Sequence, residues 1–425
     1  MGRFGRRPTI LLAAVALVAL AIPAVADAKK KGKKGGPKIT VETRNGYLGA
    51  DLSPALGASG IGEAIKGAGE VWRELQSTNF PDRVVPLAKE IKDAKPDLVG
   101  LQEMATWYVQ EPSDGGWTES GGIGDPASEA GQEYQNFLDL LLAELNKGTK
   151  ARKGKGKSKG GPKYELVVEQ SEFSGELPAD ADDDTNTGTG PLASLGADFD
   201  AQLIMHDAIL VKKGSKVKLG KTDMAHYENR FVAEIIPGVV EAPVDRGWVS
   251  VEGKVTGPKK GKGKKAGASK KKGKKFKFRF INTHLEAFGD PTIREAQAIE
   301  LINGPANTKK QVIVVGDINS GLQNRHAIGS YQFQPGDPLA FEAFAAAGFK
   351  DNGVKKLSQP YPQTCCDDPR DHPLVFDHTV DHVLTKPGLK TKKAFATGND
   401  PAQRTPSGLY PSDHGGKVSK LQLKK

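Results

Sequence analysis

Residues 311–321, QVIVVGDINSG, run apolar and then present an acid and an amide, Asp317 and Asn319, two positions apart. Side chains at i and i+2 point the same way while a chain stays extended, so both would face one spot at a sheet edge. Similar chemistry closes other strand-like runs. Gln102-Glu103 follows Asp97–Leu101, His284 follows Phe278–Thr283, Asp381 lies inside Val380–Leu384, and Ser412-Asp413-His414 stands near the C-terminus. Singly, each has an ordinary explanation: a turn, a surface histidine, an aspartate satisfying nearby backbone. Together they supply carboxylates, amides and two imidazoles at strand ends. That set suits Mg²⁺ or Mn²⁺, which take hard oxygen ligands, and it suits hydrolysis of a phosphate ester.

Such residues need a scaffold that aims them at one point. Lys38–Thr43, Asp97–Leu101, Tyr164–Glu169, Ala208–Lys212, Trp248–Val255, Lys277–Thr283, Gln311–Val315 and Val380–Leu384 read as strands. Phe80–Ala94, Glu133–Leu145, Pro291–Asn303 and Pro338–Ala347 read as helices. In Glu133–Leu145, Tyr134, Phe137, Leu138, Leu141 and Leu145 recur at spacings that mark one buried face. Phe276, Phe278 and Phe280 alternate with basic residues, so that strand buries one side only. Strands and helices in alternation, some strands amphipathic and some wholly apolar, predict two sheets packed together and covered outside by helices. Glu176–Gly190 reads as an acidic loop. Loop 104–131, with Trp107, Tyr108 and Trp117, is a candidate substrate wall or, equally, a set of aromatics covering the core.

The 425 residues carry a net charge of +10, but unevenly. Lys29–Lys38, Lys147–Lys163 and Gly257–Arg279 hold 6, 8 and 12 basic residues and no acid, and removing these 26 from +10 leaves −16. The body is acidic and the tracts are basic, which excludes a uniformly basic nucleic-acid-binding domain. Lys/Gly tracts cannot bury apolar surface and are expected to be disordered, either solubilising or holding polyanions by counterion release. Arg3, Arg6 and Arg7, an apolar run from Ile10 to Ile22, and Ala26-Asp27-Ala28 form a secretory leader pattern. The run is shorter than the roughly 20 residues a membrane span needs. The expected organisation is a leader over residues 1–28, a basic tail over 29–38 and one catalytic domain over 39–423, with insertions near 147–163 and 257–275. The only cysteines, Cys365 and Cys366, are adjacent, so they form a vicinal disulfide or a thiol pair in a loop, and no disulfide framework holds the fold.

LQE at 101–103, NTHLEA at 282–287, GDINSG at 316–321, VDHVL at 380–384 and SDH at 412–414 occur in this order. Together they resemble the endonuclease/exonuclease/phosphatase superfamily, which includes deoxyribonuclease I-like nucleases, sphingomyelinases and inositol-phosphate phosphatases. The resemblance implies an α/β fold, a four-layer α/β/β/α sandwich, and a divalent cation, Mg²⁺ or Mn²⁺. It implies that Glu103 is the main metal carboxylate, with Asn45 (in TRNGYLG) and Asp413 supporting the metal. It implies that Asp317 and Asn319 contact the phosphate and the metal or water, that His414 is the catalytic histidine oriented by Asp381, and that His284 binds phosphate or helps the leaving group. Arg294 and Gln297, in REAQAIEL, resemble an R-x-x-Q helix with a packing or orienting role. His382 is expected to point into a sheet interface.

The expected activity is a secreted or cell-wall-associated, monomeric phosphodiesterase, a nuclease or a more general one. The alternatives are a phosphomonoesterase or sphingomyelinase-like phospholipase, and a non-catalytic exported protein that binds polyanions through its Lys/Gly tracts. Nothing in the sequence signals an apolar hairpin for membrane insertion, which speaks against the sphingomyelinase form. Glu103, Asp317, Asp381 and His414 are all present, which speaks against the non-catalytic one.

Overall fold

The computed structural model describes residues 36–115, 131–148, 163–182, 190–238, 240–257, 273–321, 337–352, 363–376, 378–386 and 388–424. The expected leader, Trp117 and most of the three Lys/Gly tracts lie outside these residues.

In chain order the strands begin with β1 (Lys38–Asn45), β2 (Leu98–Gln102), β3 (Thr106–Gln110), β4 (Gln132–Asn136), β5 (Tyr164–Ala179) and β6 (Phe199–Lys212). They continue with β7 (Lys218–His226), β8 (Phe231–Ile236), β9 (Val240–Val244), β10 (Gly247–Thr256), β11 (Lys275–His284) and β12 (Gln311–Asp317). The last are β13 (Lys350–Asp351), β14 (Asp381–Thr385), β15 (Leu389–Thr397) and β16 (Gly416–Leu423). The helices are α1 (Ile61–Thr78), α2 (Phe80–Ala94), α3 (Phe137–Asn146), α4 (Pro291–Asn303) and α5 (Leu339–Ala346). One sheet runs β15-β16-β1-β2-β6-β3-β4, with β5 also paired to β6; the second runs β13-β14-β12-β11-β10-β7; β8 and β9 form a separate hairpin.

Burial shows why the layers stack. Val41, Leu98 and Ile209 of the first sheet meet Val249, Phe278, Phe280, Ile313 and Val315 of the second in one inter-sheet core. Leu75 of α1, Leu87 of α2 and Leu141 of α3 pack on the outer face of the first sheet against Val99, Leu101 and Leu210. Ala298 and Leu301 of α4 and Phe344 of α5 cover Val312 and Val314 on the outer face of the second. This is the expected four-layer α/β/β/α sandwich. β12 is apolar without alternation because both its faces are covered.

Several expectations are corrected. The helix expected over Glu133–Leu145 starts at Phe137, because Asn136 caps it by accepting from Asp139 N at 3.0 Å. Residues 132–136 pair with β3 instead, and Tyr134 is 39% exposed rather than on the buried face. Loop 104–131 contains β3, and Trp107 takes the core-covering alternative, buried in the outer core of the first sheet. β5 runs on to Ala179, so the acidic segment opens as strand, and β11 begins at Lys275, inside the third basic tract. A hairpin that the sequence did not announce, β8–β9, buries Ala233, Ile235 and Ala242 and exposes Val232, Glu234 and Glu241.

Candidate active site

Register brings the site residues to one end of the sandwich. β1 and β2 are parallel with Asn45 opposite Gln102, and β11 and β12 are parallel with His284 opposite Asp317. Antiparallel β14 places Asp381 opposite Asp317, and the turn before β16 supplies Asp413 and His414. Asn45, Glu103, Asp413 and His414 therefore come from the first sheet, and His284, Asp317, Asn319 and Asp381 from the second. All eight sequence-derived residues meet there.

The seam beneath them is polar and fully buried. Asn282 Nδ2 donates to Leu101 O at 2.8 Å and to Ala208 O at 3.3 Å, while its Oδ1 accepts from Gln102 Nε2. Gln102 Oε1 in turn accepts from Thr43 Oγ1 at 3.2 Å. A Cβ on Gly100 would lie 2.3 Å from Asn282 Oδ1, so only glycine permits this approach of the two sheets.

Two site residues hold left-handed backbone: Glu103 at φ 55° and Asn319 at φ 47°. For glutamate this is an uncommon conformation, of the kind that clusters at functional sites. Glu103 Oε1 accepts from Asn45 Nδ2 at 2.8 Å and its Oε2 from Leu48 N at 2.9 Å. Asn319 is fixed from three sides: its N donates to Asp317 Oδ1 (2.9 Å), its Nδ2 to Leu285 O (2.9 Å), and Arg294 Nη1 donates to its carbonyl (2.7 Å). The acid and the amide thus converge through a turn, not through continued extended chain. Arg294 has the expected orienting role, as does Gln297, which accepts from Glu286 N at 2.8 Å.

His414 Nδ1 lies 3.0 Å from Asp381 Oδ2, and its Nε2 faces the pocket, 3.6 Å from Asp317 Oδ2 and 4.0 Å from Asp413 Oδ2. Burial alone would pull this histidine down, but Asp381, Asp413 and Asp317 carry it well above its ordinary value. Burial, with Asp381 and Glu103 nearby, pushes the Asp317 carboxyl up; burial and Glu103 do the same to Asp413. Cys365 and Cys366 form a vicinal disulfide in the loop before β14, its two sulfurs each 3.5 Å from His414 Nε2, so this loop abuts the site. His382 points away from the site, but not into the expected sheet interface: it lies on the outer face of its sheet, its ring 4.9 Å from that of Phe341 in α5, 3.0 Å from Ser320 O and 3.3 Å from Asp351 Oδ2.

Sequence reasoning missed Arg246, which precedes β10 without any motif. Its Nη1 lies 3.1 Å from His284 Nδ1, and its Nη2 lies 3.5 Å from Glu286 Oε1. A guanidinium only donates, so Nδ1 accepts, the ring is neutral, and its proton sits on Nε2. Burial first, then Arg246 and His414, holds this histidine well below its ordinary value, which agrees. His284 Nε2 also lies 3.2 Å from Asn319 Nδ2, but a neutral ring accepts at one nitrogen, and the charged donor makes the stronger bond. Buried Glu172 and Asp207 complete the surroundings of Arg246, and burial raises both. Its position next to Gly247, which pairs with His284, was the available clue.

The donor set fits a hard divalent cation. Ligand atoms of Glu103, Asp317 and His414 all lie within 4.8 Å of one another, with Asp413 beside them. Clustered buried carboxylates pushed upward by their neighbours gain from a cation among them. Asn45 acts as a strut: its Nδ2 reaches Glu103 and Asp317 (3.2 Å), and its Oδ1 accepts from Tyr47 N at 2.8 Å. Glu103, Asp317, Asp413 and His414, with His284 and Asn319, line a cavity of about 600 Å³.

No curated protein matches the chain. Among solved structures, it is similar to an endonuclease/exonuclease/phosphatase from Bacteroides vulgatus, with 14% identity, 91% of this chain and 100% of that one covered, and a TM-score of 0.44. It is similar to the mannosyl-6-phosphatase of Bacteroides thetaiotaomicron, with 15% identity, 90% and 99% covered, and a TM-score of 0.44. It is also similar to the human Nocturnin catalytic domain with bound sulfate, with 17% identity, 91% and 94% covered, and a TM-score of 0.40. The family model "Endonuclease/Exonuclease/phosphatase family" matches residues 71–414, from α1 to the site histidine. The chain therefore belongs to the endonuclease/exonuclease/phosphatase family, whose members are typically hydrolases of phosphoesters and generally depend on a divalent metal.

Proposed function

We propose that the protein is a divalent-metal-dependent phosphodiesterase, exported by its leader, with a nucleic acid or another phosphodiester as substrate. The observation that carries this reading is the His414–Asp381 pair at 3.0 Å, facing the carboxylates of Glu103 and Asp317 across one pocket. Glu103, Asp317 and Asp413 would hold Mg²⁺ or Mn²⁺, which supplies charge neutralisation at a phosphoryl oxygen. Asp381 fixes the proton of His414 on Nδ1, leaving Nε2 to exchange a proton with the attacking water or the departing oxygen. His284, neutral and protonated on Nε2, donates toward a non-bridging oxygen without needing charge. Asn319 offers a second N–H beside it, and Arg246 holds His284 in the donating tautomer. The Lys/Gly tracts would add a salt-dependent hold on polyanions.

The test is hydrolysis of bis(p-nitrophenyl) phosphate with Mg²⁺, Mn²⁺ or EDTA, beside His414→Ala and Glu103→Ala. Metal-dependent turnover lost in both variants supports the reading, and DNA, RNA and phospholipid panels then rank substrates. Full activity in either folded variant would falsify it.

A further inference from the structure

One wall of the pocket is apolar, and it does not end at the catalytic residues. Met205 Sδ lies 3.6 Å from Arg246 Nη1, which contacts His284. From Met205 a floor runs away along β5 and β6. Its cross-strand pairs are Phe173 with Met205, Gly175 with Leu203, and Leu177 with Ala201. The middle pair contributes only one side chain, so the floor is hollowed opposite Leu203. The β8–β9 hairpin roofs it: Gly57 N donates to Glu234 O at 3.2 Å and Ala58 N to Ile235 O at 3.1 Å, while Phe231 stacks on Phe288 at 6.1 Å. A second cavity of about 70 Å³ continues the first and shares Leu52, Leu56, Phe173, Leu203 and Ile235 with it. Among the described residues lining this inner cavity, the one polar side-chain atom is Trp107 Nε1, and Leu48 O takes it at 2.8 Å. From Met205 to Ala201 the floor is about 13 Å long at the rise of a strand.

We propose that this channel holds a hydrocarbon substituent of the substrate, so that the preferred phosphoester carries an alkyl or acyl chain next to the scissile phosphate. This rests on the phosphoesterase reading of the same site. A nucleobase or sugar entering the channel would bury polar edges with no side-chain partner in its lining, which is costly; a chain of methylenes would not. The channel is continuous with the site and opens at the histidine that faces the phosphate. Charge recognition and apolar recognition are thus arranged in series along one ligand. The hairpin, amphipathic and separate from both sheets, encloses the chain from above.

The probes are methyl, butyl and octyl phosphonate, below their micellar concentrations, titrated calorimetrically into the full chain with Mg²⁺. A TpT dinucleotide is titrated alongside. Affinity is expected to rise about fourfold per methylene until the channel is filled, from about 0.8 kcal/mol per buried methylene. Gly175→Leu fills the floor and Ala233→Phe lowers the roof; either is expected to flatten that slope, and if one fails to fold the other decides. Equal affinity for all three phosphonates in the unaltered protein would overturn the proposal. So would a slope that persists in the folded variants, or a dinucleotide that binds tighter than octyl phosphonate. Hydrolysis of bis(p-nitrophenyl) phosphate, measured in parallel, separates the two readings. Turnover without chain-length dependence sinks the channel alone; chain-length-dependent binding without any turnover sinks the phosphoesterase alone.

Discussion

Glu42 lies on the outer face of β1, beneath α2, with no exposed surface and neither carboxylate oxygen hydrogen-bonded. Its neighbour Arg44 is already paired with Glu90 at 3.2 Å. Burial, then the charge of Glu90, pushes the Glu42 carboxyl from 4.5 to about 8, with Arg44 opposing. Because the folded value is raised, the stability associated with this group is fully present below pH 4.5 and is lost as pH rises through about 8. At 1.36 kcal/mol per decade the whole loss is about 5 kcal/mol, of which about 3 falls between pH 5.5 and 8.5. Glu42→Gln keeps the shape but cannot ionise. It should match the unaltered protein within about 1 kcal/mol near pH 5, since both then bury an unpaired polar group. At pH 8.5 it should be the more stable of the two. The assay is urea unfolding of both proteins at pH 5.5, 7.0 and 8.5, followed by tryptophan fluorescence and circular dichroism. The quantity read is the variant's advantage at pH 8.5 minus that at pH 5.5, in which titrating groups not coupled to Glu42 cancel. Parallel pH profiles, or a variant that loses ground as pH rises, would refute the reasoning.

Asp381→Asn should leave the fold intact and cut turnover about 10²–10⁴-fold, because His414 loses the group that fixes its tautomer; a steady-state assay checks this, and an unchanged rate removes Asp381 from the mechanism. Mg²⁺ at 100 times its dissociation constant should stabilise the protein by about 2.7 kcal/mol, seen as an EDTA-reversible rise in melting temperature that Glu103→Gln abolishes. Gly100→Ala should cost about 1–3 kcal/mol in urea unfolding, since its Cβ would press on Asn282 and Val315 at the seam. Arg246→Met should destabilise by about 3–5 kcal/mol, because it strips the cation from buried Glu172, Asp207 and Glu286; unaltered stability would mean that those acids are neutral without it.

The site was more legible than its scaffold. Glu103, His284, Asp317 and Asn319 follow apolar strands, Asp381 sits in one, and His414 was found by its SDH motif; the layer order followed from those strands. α1 was hidden because Gly62, Gly67 and Gly69 lower helix propensity, yet two of them serve packing. A Cβ on Gly67 would sit 2.0 Å from Pro54 O, and one on Gly69 2.0 Å from Asp180 O. β15, LKTKKAFAT, was unreadable because lysines interrupt its alternation on an edge strand. Arg246 carries no local signal at all; only the pairing of Gly247 with His284 gives it a place. The β8–β9 hairpin was missed because each of its strands is too short and mixed to announce a buried face.

The proposed catalytic pair crosses the seam: His414 comes with the first sheet, Asp381 with the second, and the Asn282–Gln102 contact beneath them sets the gap. Neither half contains an active site. A chain with only one sheet formed can neither gather the cation's ligands nor hold the histidine in one tautomer. On the proposed function, a chain in which the two sheets have not docked would therefore have no activity toward phosphoesters.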